Sequence, residues 1–232
     1  MTTPTDESTH AAAEALSAVA SFAGLDVATL DSISRPAIRR EYAAGQVVFL
    51  EGEPGAGLYV VQDGWLKSVK TSPAGREQVM RFVGPGEVFN ELGVLVGENN
   101  LVTVIALEPT TVWIIQRDRL LQLMDEHSQL SRAITQNLAR RVQHLIGLVE
   151  DLSLRTVESR LARLLLKQSS TDVLVRRRWA TQAEMAARLG TVPDVLNRAL
   201  RNLAEEGLVQ IRRHQIQILN RQGLEDKAML GN

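Results

Sequence analysis

Asp194, Asn197 and Arg198 fall three and four residues apart, which is the spacing that brings side chains to one face of a helix. A carboxylate, an amide and a guanidinium fork near a helix N-terminus are the groups that hydrogen-bond base edges in a DNA major groove. The apolar positions around them, Met185, Ala186, Leu189, Val195, Leu196, Ala199, Leu200 and Leu203, recur at helical steps. Thr181 with Glu184 reads as a capping box, Gly190 as a tight turn, and Pro193 as a first-turn proline. The spacing therefore predicts a helix, a turn and a second helix with a polar face. Thr181, Gln182 and Arg201 join the candidate DNA-contacting set. An ordinary helical hairpin on a solvated surface has the same pattern. The following segment, GLVQIRRHQIQILN, predicts two short strands with a basic tip, so that Arg212, Arg213 and His214 would meet phosphate. Arg176 to Arg178 lead into the first helix and either face phosphate or lie on an unpartnered strand.

Charge coincides with this motif. The 232 residues carry a net charge of −1, but residues 1–150 hold 12 Lys/Arg against 18 Asp/Glu (net −6), and residues 151–232 hold 14 against 9 (net +5). A basic final third suits nucleic acid. There is no cysteine, which excludes disulfides and cysteine-ligated iron–sulfur or zinc sites. No apolar run reaches membrane-spanning length, so no membrane partner is expected, and MTTPTDESTH has neither the charge nor the apolar core of a signal peptide. A cytoplasmic protein is expected.

The elements that must position these groups are legible in outline. Residues 1–10 read as a disordered lead. Two short helices separated by Gly24 follow to about residue 34. From Ile38 to Arg117, runs such as VVFL, LYVV, LKSVK, QVMRFV, LVTVIAL and TVWII alternate with turn signals, the pattern of a β-roll or barrel. Trp65, Trp113, Tyr59 and Phe82 are expected in its core. Thereafter the pattern is helical to about Gln168. Ile134, Leu138, Leu145, Leu148 and Leu152 fall on a heptad seam interrupted by Arg141, which predicts pairing with a second copy; a long helix lying on the barrel is the other reading. The expected organisation is α+β: a lead over 1–10, a β-roll sensor with N-terminal helices over 11–125, a dimerisation helix over 126–153, and a winged helix-turn-helix domain over 154–232.

In this order, the parts resemble the catabolite activator/FNR superfamily of bacterial transcription regulators. The resemblance rests on QDGWLKSVKTSPAGREQVMRFVGPGEVFNELGVL, LARRVQHLIGLVEDLSLRTVESRLARLLL, and TQAEMAARLG with RALRNLAEEGLV. It implies a homodimer that binds palindromic double-stranded DNA, senses a small molecule in the β-roll, and acts on RNA polymerase. The effector pocket it implies is Phe89, Asn90, Glu91, Leu92, Asn100, Leu101, Leu145 and Ile146. That pocket departs from the cyclic-AMP branch. Asn90 replaces a glycine, Asn100 and Leu101 replace the arginine and serine that grip the cyclic phosphate, and Leu145 and Ile146 replace the hydroxyl pair that reaches adenine. Without the arginine the phosphate has no strong partner, so cyclic AMP is not the expected effector and the pocket reads as apolar. An apolar pocket admits haem as an alternative, with His127 or His144 as ligand and NO or CO as the signal. On the reading helix, Asp194 and Arg198 match the family's base-contacting Glu and Arg, Asn197 replaces Ser or Gly, and Pro193 stands where the cyclic-AMP branch has a second arginine. This points towards an FNR-type TTG…CAA half-site.

Other classes fare worse. GEPGAG at 52–57 lacks the Lys-Ser/Thr ending of a phosphate loop and has strand-like flanks. No nucleophile elbow or zinc motif is present. A ligand-binding module that regulates a protein partner would need neither Arg198 nor a basic wing.

Overall fold

The computed structural model describes residues 6–168, 172–175, 177–212 and 215–229. It divides into two compact units: residues up to 70 together with 80–143, and residues from 144 onward together with 71–79.

The first unit opens with α1 (Asp6–Ser17), a 3-10 turn (Ala20–Phe22) and α2 (Val27–Ser34). Helix α1 begins inside the stretch expected as a disordered lead. DESTHAAAEALS joins polar starters to an alanine-rich body, and Ala12, Leu16 and the later Phe22 are buried; burial of that face holds the helix. Asp26 caps α2 by accepting from the Thr29 N–H at 2.8 Å.

Eight strands follow: β1 (Ile38–Tyr42), β2 (Val47–Phe49), β3 (Gly57–Asp63), β4 (Leu66–Thr71), β5 (Glu77–Val83), β6 (Val88–Phe89), β7 (Thr103–Ala106) and β8 (Thr110–Gln116). They form two four-stranded antiparallel sheets, ordered β1-β8-β3-β6 and β2-β7-β4-β5. Gly57 sits where an added Cβ would lie 2.2 Å from the Ile115 carbonyl oxygen, so only glycine lets β3 and β8 approach there. The roll's interior holds Phe49, Tyr59, Val61, Leu66, Val83, Phe89, Val104, Ala106 and Val112. A second cluster, around Leu58, Val60, Trp113 and Ile115, packs the helices onto the other face. Trp113 and Tyr59 are buried as expected; Trp65 and Phe82 are half-buried instead. Trp65 lies flat against Gly84, where a Cβ would clash with its ring at 2.7 Å.

A short helix, α3 (Glu91–Val96), interrupts the strands. Its N-cap, Asn90, takes the left-handed conformation (φ 70°) that glycine or asparagine tolerates. After β8 come α4 (Arg117–Glu126), α5 (Ser128–Leu154) and α6 (Val157–Gln168). The helical stretch therefore breaks at His127, which has extended backbone, and again at Arg155–Thr156.

The second unit continues with β9 (Val173–Val175), α7 (Gln182–Arg188), α8 (Pro193–Glu205), β10 (Val209–Arg212), β11 (Gln215–Ile218) and α9 (Arg221–Met229). The wing is one strand larger than expected, because β9 pairs with β11 to complete a sheet ordered β10-β11-β9. The core of this unit joins α6, α7, α8, the sheet and α9 through Leu161, Leu165, Leu196, Leu203, Ile216 and Leu224. Helix α9, which buries Leu224 and Ala228, has no counterpart in the expected organisation. Its carbonyl at Ala228 accepts from Arg155 Nη1 (2.8 Å) and Ser159 Oγ (3.0 Å), tying it to α6.

Candidate DNA-reading helix and sensor site

Helix α7 starts as the sequence dictates: Thr181 Oγ1 accepts from the Glu184 N–H at 3.2 Å. Gly190, at φ +65°, makes the turn, and Pro193 opens α8. Leu196, Ala199, Leu200 and Leu203 bury one face of α8. The opposite face presents Asp194, Arg198 and Arg201, all exposed, with Asn197 half-buried at its edge. Neither Arg198 nor Arg201 has a hydrogen-bond or ion-pair partner among the described residues. Two guanidinium forks, an amide and a carboxylate thus project from the first two turns and the middle of one helix, which matches the donor and acceptor needs of a major groove. Thr181 and Gln182 are exposed at the start of α7. Arg212 is exposed on β10 and donates from Nε and Nη2 to Gln210 Oε1 at 3.1 and 2.8 Å. Arg213, His214 and Arg176 lie outside the described residues. Arg177 and Arg178 are exposed ahead of α7.

The expected seam residues differ in burial. Ile134 is 1% exposed, and Leu138 packs on the same core of the first unit. Arg141 feels Glu91, Arg81 and Glu87 through space. Ile134 is buried by its own unit, whereas Leu138 and Arg141 are half-buried. The exposed apolar stripe of α5 is Val142, Leu145, Ile146, Val149 and Leu152, at steps of three and four. Leu148 is half-buried. Leu145 and Leu152 of the expected seam lie on this stripe, and Val142, Ile146 and Val149 join them because they flank those positions on the same face.

The expected effector residues differ in burial and in hydrogen-bond partners. Phe89 stacks on Tyr59 at 4.8 Å between centroids and on Phe49 at 6.1 Å, as roll core. Burial pushes the Tyr59 phenol up to about 12. Asn90 donates to the Gly57 carbonyl at 3.0 Å. Leu92 and Leu101 are exposed, as are Leu145 and Ile146. Asn100 is buried, donates to the Leu50 carbonyl at 3.4 Å, and has a buried Oδ1 without a donor among the described residues.

What gathers instead is ionic. Glu91 is 2% exposed and accepts a hydrogen bond from Asn137 of α5. Arg81 pairs with Glu87 at 2.5 Å and donates to the Val88 carbonyl at 3.3 Å. Burial draws the Arg141 guanidinium below its ordinary pKa; Glu91 and Glu87 oppose that shift, and Arg81 adds to it. Glu87 is an addition to the expected set. A charged setting of this kind does not suit the apolar face of a haem, and His127 is engaged with Thr29 at 3.3 Å through Nδ1. His144 is exposed on α5. No cluster of three metal-ligating side chains occurs among the described residues. The GEPGAG segment joins β2 to β3 with no helix after it, so it has none of the geometry of a phosphate loop.

The chain matches the cyclic nucleotide-binding domain family over residues 39–127 and the Crp-like helix-turn-helix domain family over residues 159–227. It is 30% identical over 175 residues to the cyclic AMP receptor protein of Thermus thermophilus, covering 75% of this chain and 80% of that protein. It is 24% identical to the CRP-like cAMP-activated global transcriptional regulator of Mycobacterium tuberculosis, over 93% of this chain and 99% of the relative. FixK2 from Bradyrhizobium japonicum has the same fold, with a TM-score of 0.73 at 24% identity over 84% of this chain and 99% of that one. The chain belongs to the CRP/FNR family of transcription regulators. It is a DNA-binding regulator rather than an enzyme. Among the described residues no helix is long and apolar enough to cross a membrane.

Proposed function

We propose that this regulator works as a homodimer that reads a palindromic site with one α8 helix per protomer, and that its β-roll responds to a small effector other than cyclic AMP. The observation that carries the reading is the exposed face of α8, where Arg198 and Arg201 project without partners beside Asp194 and Asn197. A guanidinium with no internal partner is free to take a guanine edge. The exposed stripe from Val142 to Leu152 supplies a surface that a second α5 would cover. Two-fold pairing would set the reading helices about 34 Å apart, one turn of DNA. Asn100 offers the cyclic phosphate no charge, and Leu145 and Ile146 offer adenine no hydroxyl. RNA polymerase is the proposed protein partner, as befits a transcription regulator.

The test is selection of bound duplexes from a random pool by the full-length protein. Recovery of a two-fold-symmetric sequence supports the reading. Recovery of a single asymmetric half-site, with a monomer in sedimentation, would replace it with a monomeric reader.

A further inference from the structure

Helix α5 stops at Leu154 and α6 starts at Val157, yet the segment SLRTV across the junction holds neither proline nor glycine. Thr156 caps α6, its Oγ1 accepting from the Ser159 N–H at 3.2 Å. A cap fixes where a helix begins, not the direction from which the chain arrives. The bend is therefore set by what grips it. Arg155 sits in the bend with a side chain only 13% exposed, and it reaches three ways. Its Nη2 donates to Glu150 Oε1 at 2.7 Å, and its Nε pairs with Asp151 Oδ1 at 3.1 Å, both in the last two turns of α5. Its Nη1 donates to the Ala228 carbonyl of α9. From α6, Ser159 donates to that same carbonyl, and Arg163 pairs with Asp151 at 3.3 Å. One residue earlier on α9, Lys227 pairs at 2.7 Å with Glu206, the C-cap of α8. The last turn of α9 thus joins the end of α5, the start of α6 and the end of the reading helix.

We infer that Arg155 is a positioning residue for DNA reading and that α9 is the brace it grips: together they hold α6 at a fixed angle to the end of α5, and so fix the half-site spacing that the regulator accepts. The inference rests on the reading of a homodimer that pairs through α5 and reads a palindrome with α8. In such a dimer a change of angle at residue 155 moves each α8 relative to its two-fold mate. One base pair of spacing amounts to about 3.4 Å and a tenth of a turn, so the tolerance is small. A guanidinium suits the task. Its planar fork carries five donors in fixed directions, so it bridges three partners at once, whereas a lysine ammonium is a compact point charge. Ion pairs withdrawn from water contribute little net stability, and their best-attested use is to select one arrangement over others.

The test is binding of the full-length protein to its selected palindrome, to duplexes with one or two base pairs added to or removed from the centre, and to a duplex carrying one half-site. The parent should prefer the native spacing by about tenfold or more. Arg155→Gln should lose most of that preference, binding the native spacing more weakly and the neighbouring ones about equally. Its half-site affinity should stay at the parent's, because α8 presents the same residues. Arg155→Lys keeps a charge beside Glu150 and Asp151 but does not also span to Ala228. It should melt like the parent and still show the loosened spacing, and it decides the matter should Arg155→Gln fail to fold. The inference is overturned if the parent accepts every spacing, if a folded variant keeps the parent's preference, or if half-site affinity falls as far as palindrome affinity, as local loss of fold would require. A parent that selects no two-fold site removes the dimeric reading itself. A parent that selects one, with its spacing preference untouched by both variants, removes only the brace.

Discussion

Arg198 combines an exposed side chain, a fixed place on α8 and no partner among the described residues. Arg198→Ala should therefore weaken binding to the selected site by about 1–3 kcal/mol and relax discrimination at one guanine. Binding isotherms on the site and its single-base variants check this, and an unchanged affinity would exclude Arg198 from base reading. Two caps give stability predictions at the same scale. Thr181→Ala removes the acceptor for the Glu184 N–H and should cost about 1 kcal/mol in urea unfolding. Asp26 accepts from the Thr29 N–H and, secondarily, from the Thr29 side chain, and these hydrogen bonds hold its carboxyl below the ordinary value. A carboxyl whose folded pKa is depressed contributes stability above its unfolded pKa and loses it as pH falls through the folded value. Asp26→Asn should flatten that part of the acid-side stability profile, and a profile that keeps its slope would show that the cap does not titrate.

At the scale of elements, α5 has two apolar stripes with different partners. Ile134 and Leu138 face the first unit's core, whereas Val142, Ile146, Val149 and Leu152 face outward. Ile134→Ala should lower stability by about 2–5 kcal/mol, as large-to-small core changes do. Ile146→Glu should leave the isolated fold intact and weaken self-association, because an exposed side chain changes little until a partner covers it. Sedimentation and melting curves on both variants separate the stripes. A fully dimeric Ile146→Glu protein would take this face out of the interface. The wing shows how an element can gain a member from a distance: β9 supplies Val173–Val175 to β11, a pairing between runs too short to announce themselves.

For the whole molecule, the acidic first part and basic last part divide the electrostatics. DNA affinity should fall steeply with salt, and Arg212→Ala should reduce the slope of log K against log salt by about 1. A slope unchanged by the substitution would remove Arg212 from phosphate contact. Millimolar cyclic AMP should give no saturable heat in calorimetry and no change in DNA binding, because no arginine stands at Asn100. Saturable binding would show that another cation, Arg81 or Arg141, serves the cyclic phosphate.

Sequence alone determined the parts that depend on short-range rules. The capping box at Thr181, the turn at Gly190, the first-turn proline at 193 and the 3.6-residue rhythm of α8 involve neighbours within one or two turns, so the residues name their own conformation. The same holds for the β-rich texture from Ile38 to Arg117 and for the family resemblance, whose motifs are contiguous. Tertiary structure decided what depends on distant packing. The phase of α5, and hence which stripe is buried, follows from where the roll's core presents itself, which no heptad count contains. That phase places Arg141, an interruption in the expected seam, within electrostatic reach of Glu91, Arg81 and Glu87. Those groups lie on β5, in the turn before β6 and on α3, all well before Arg141 in the chain, and only the folded unit brings them near it.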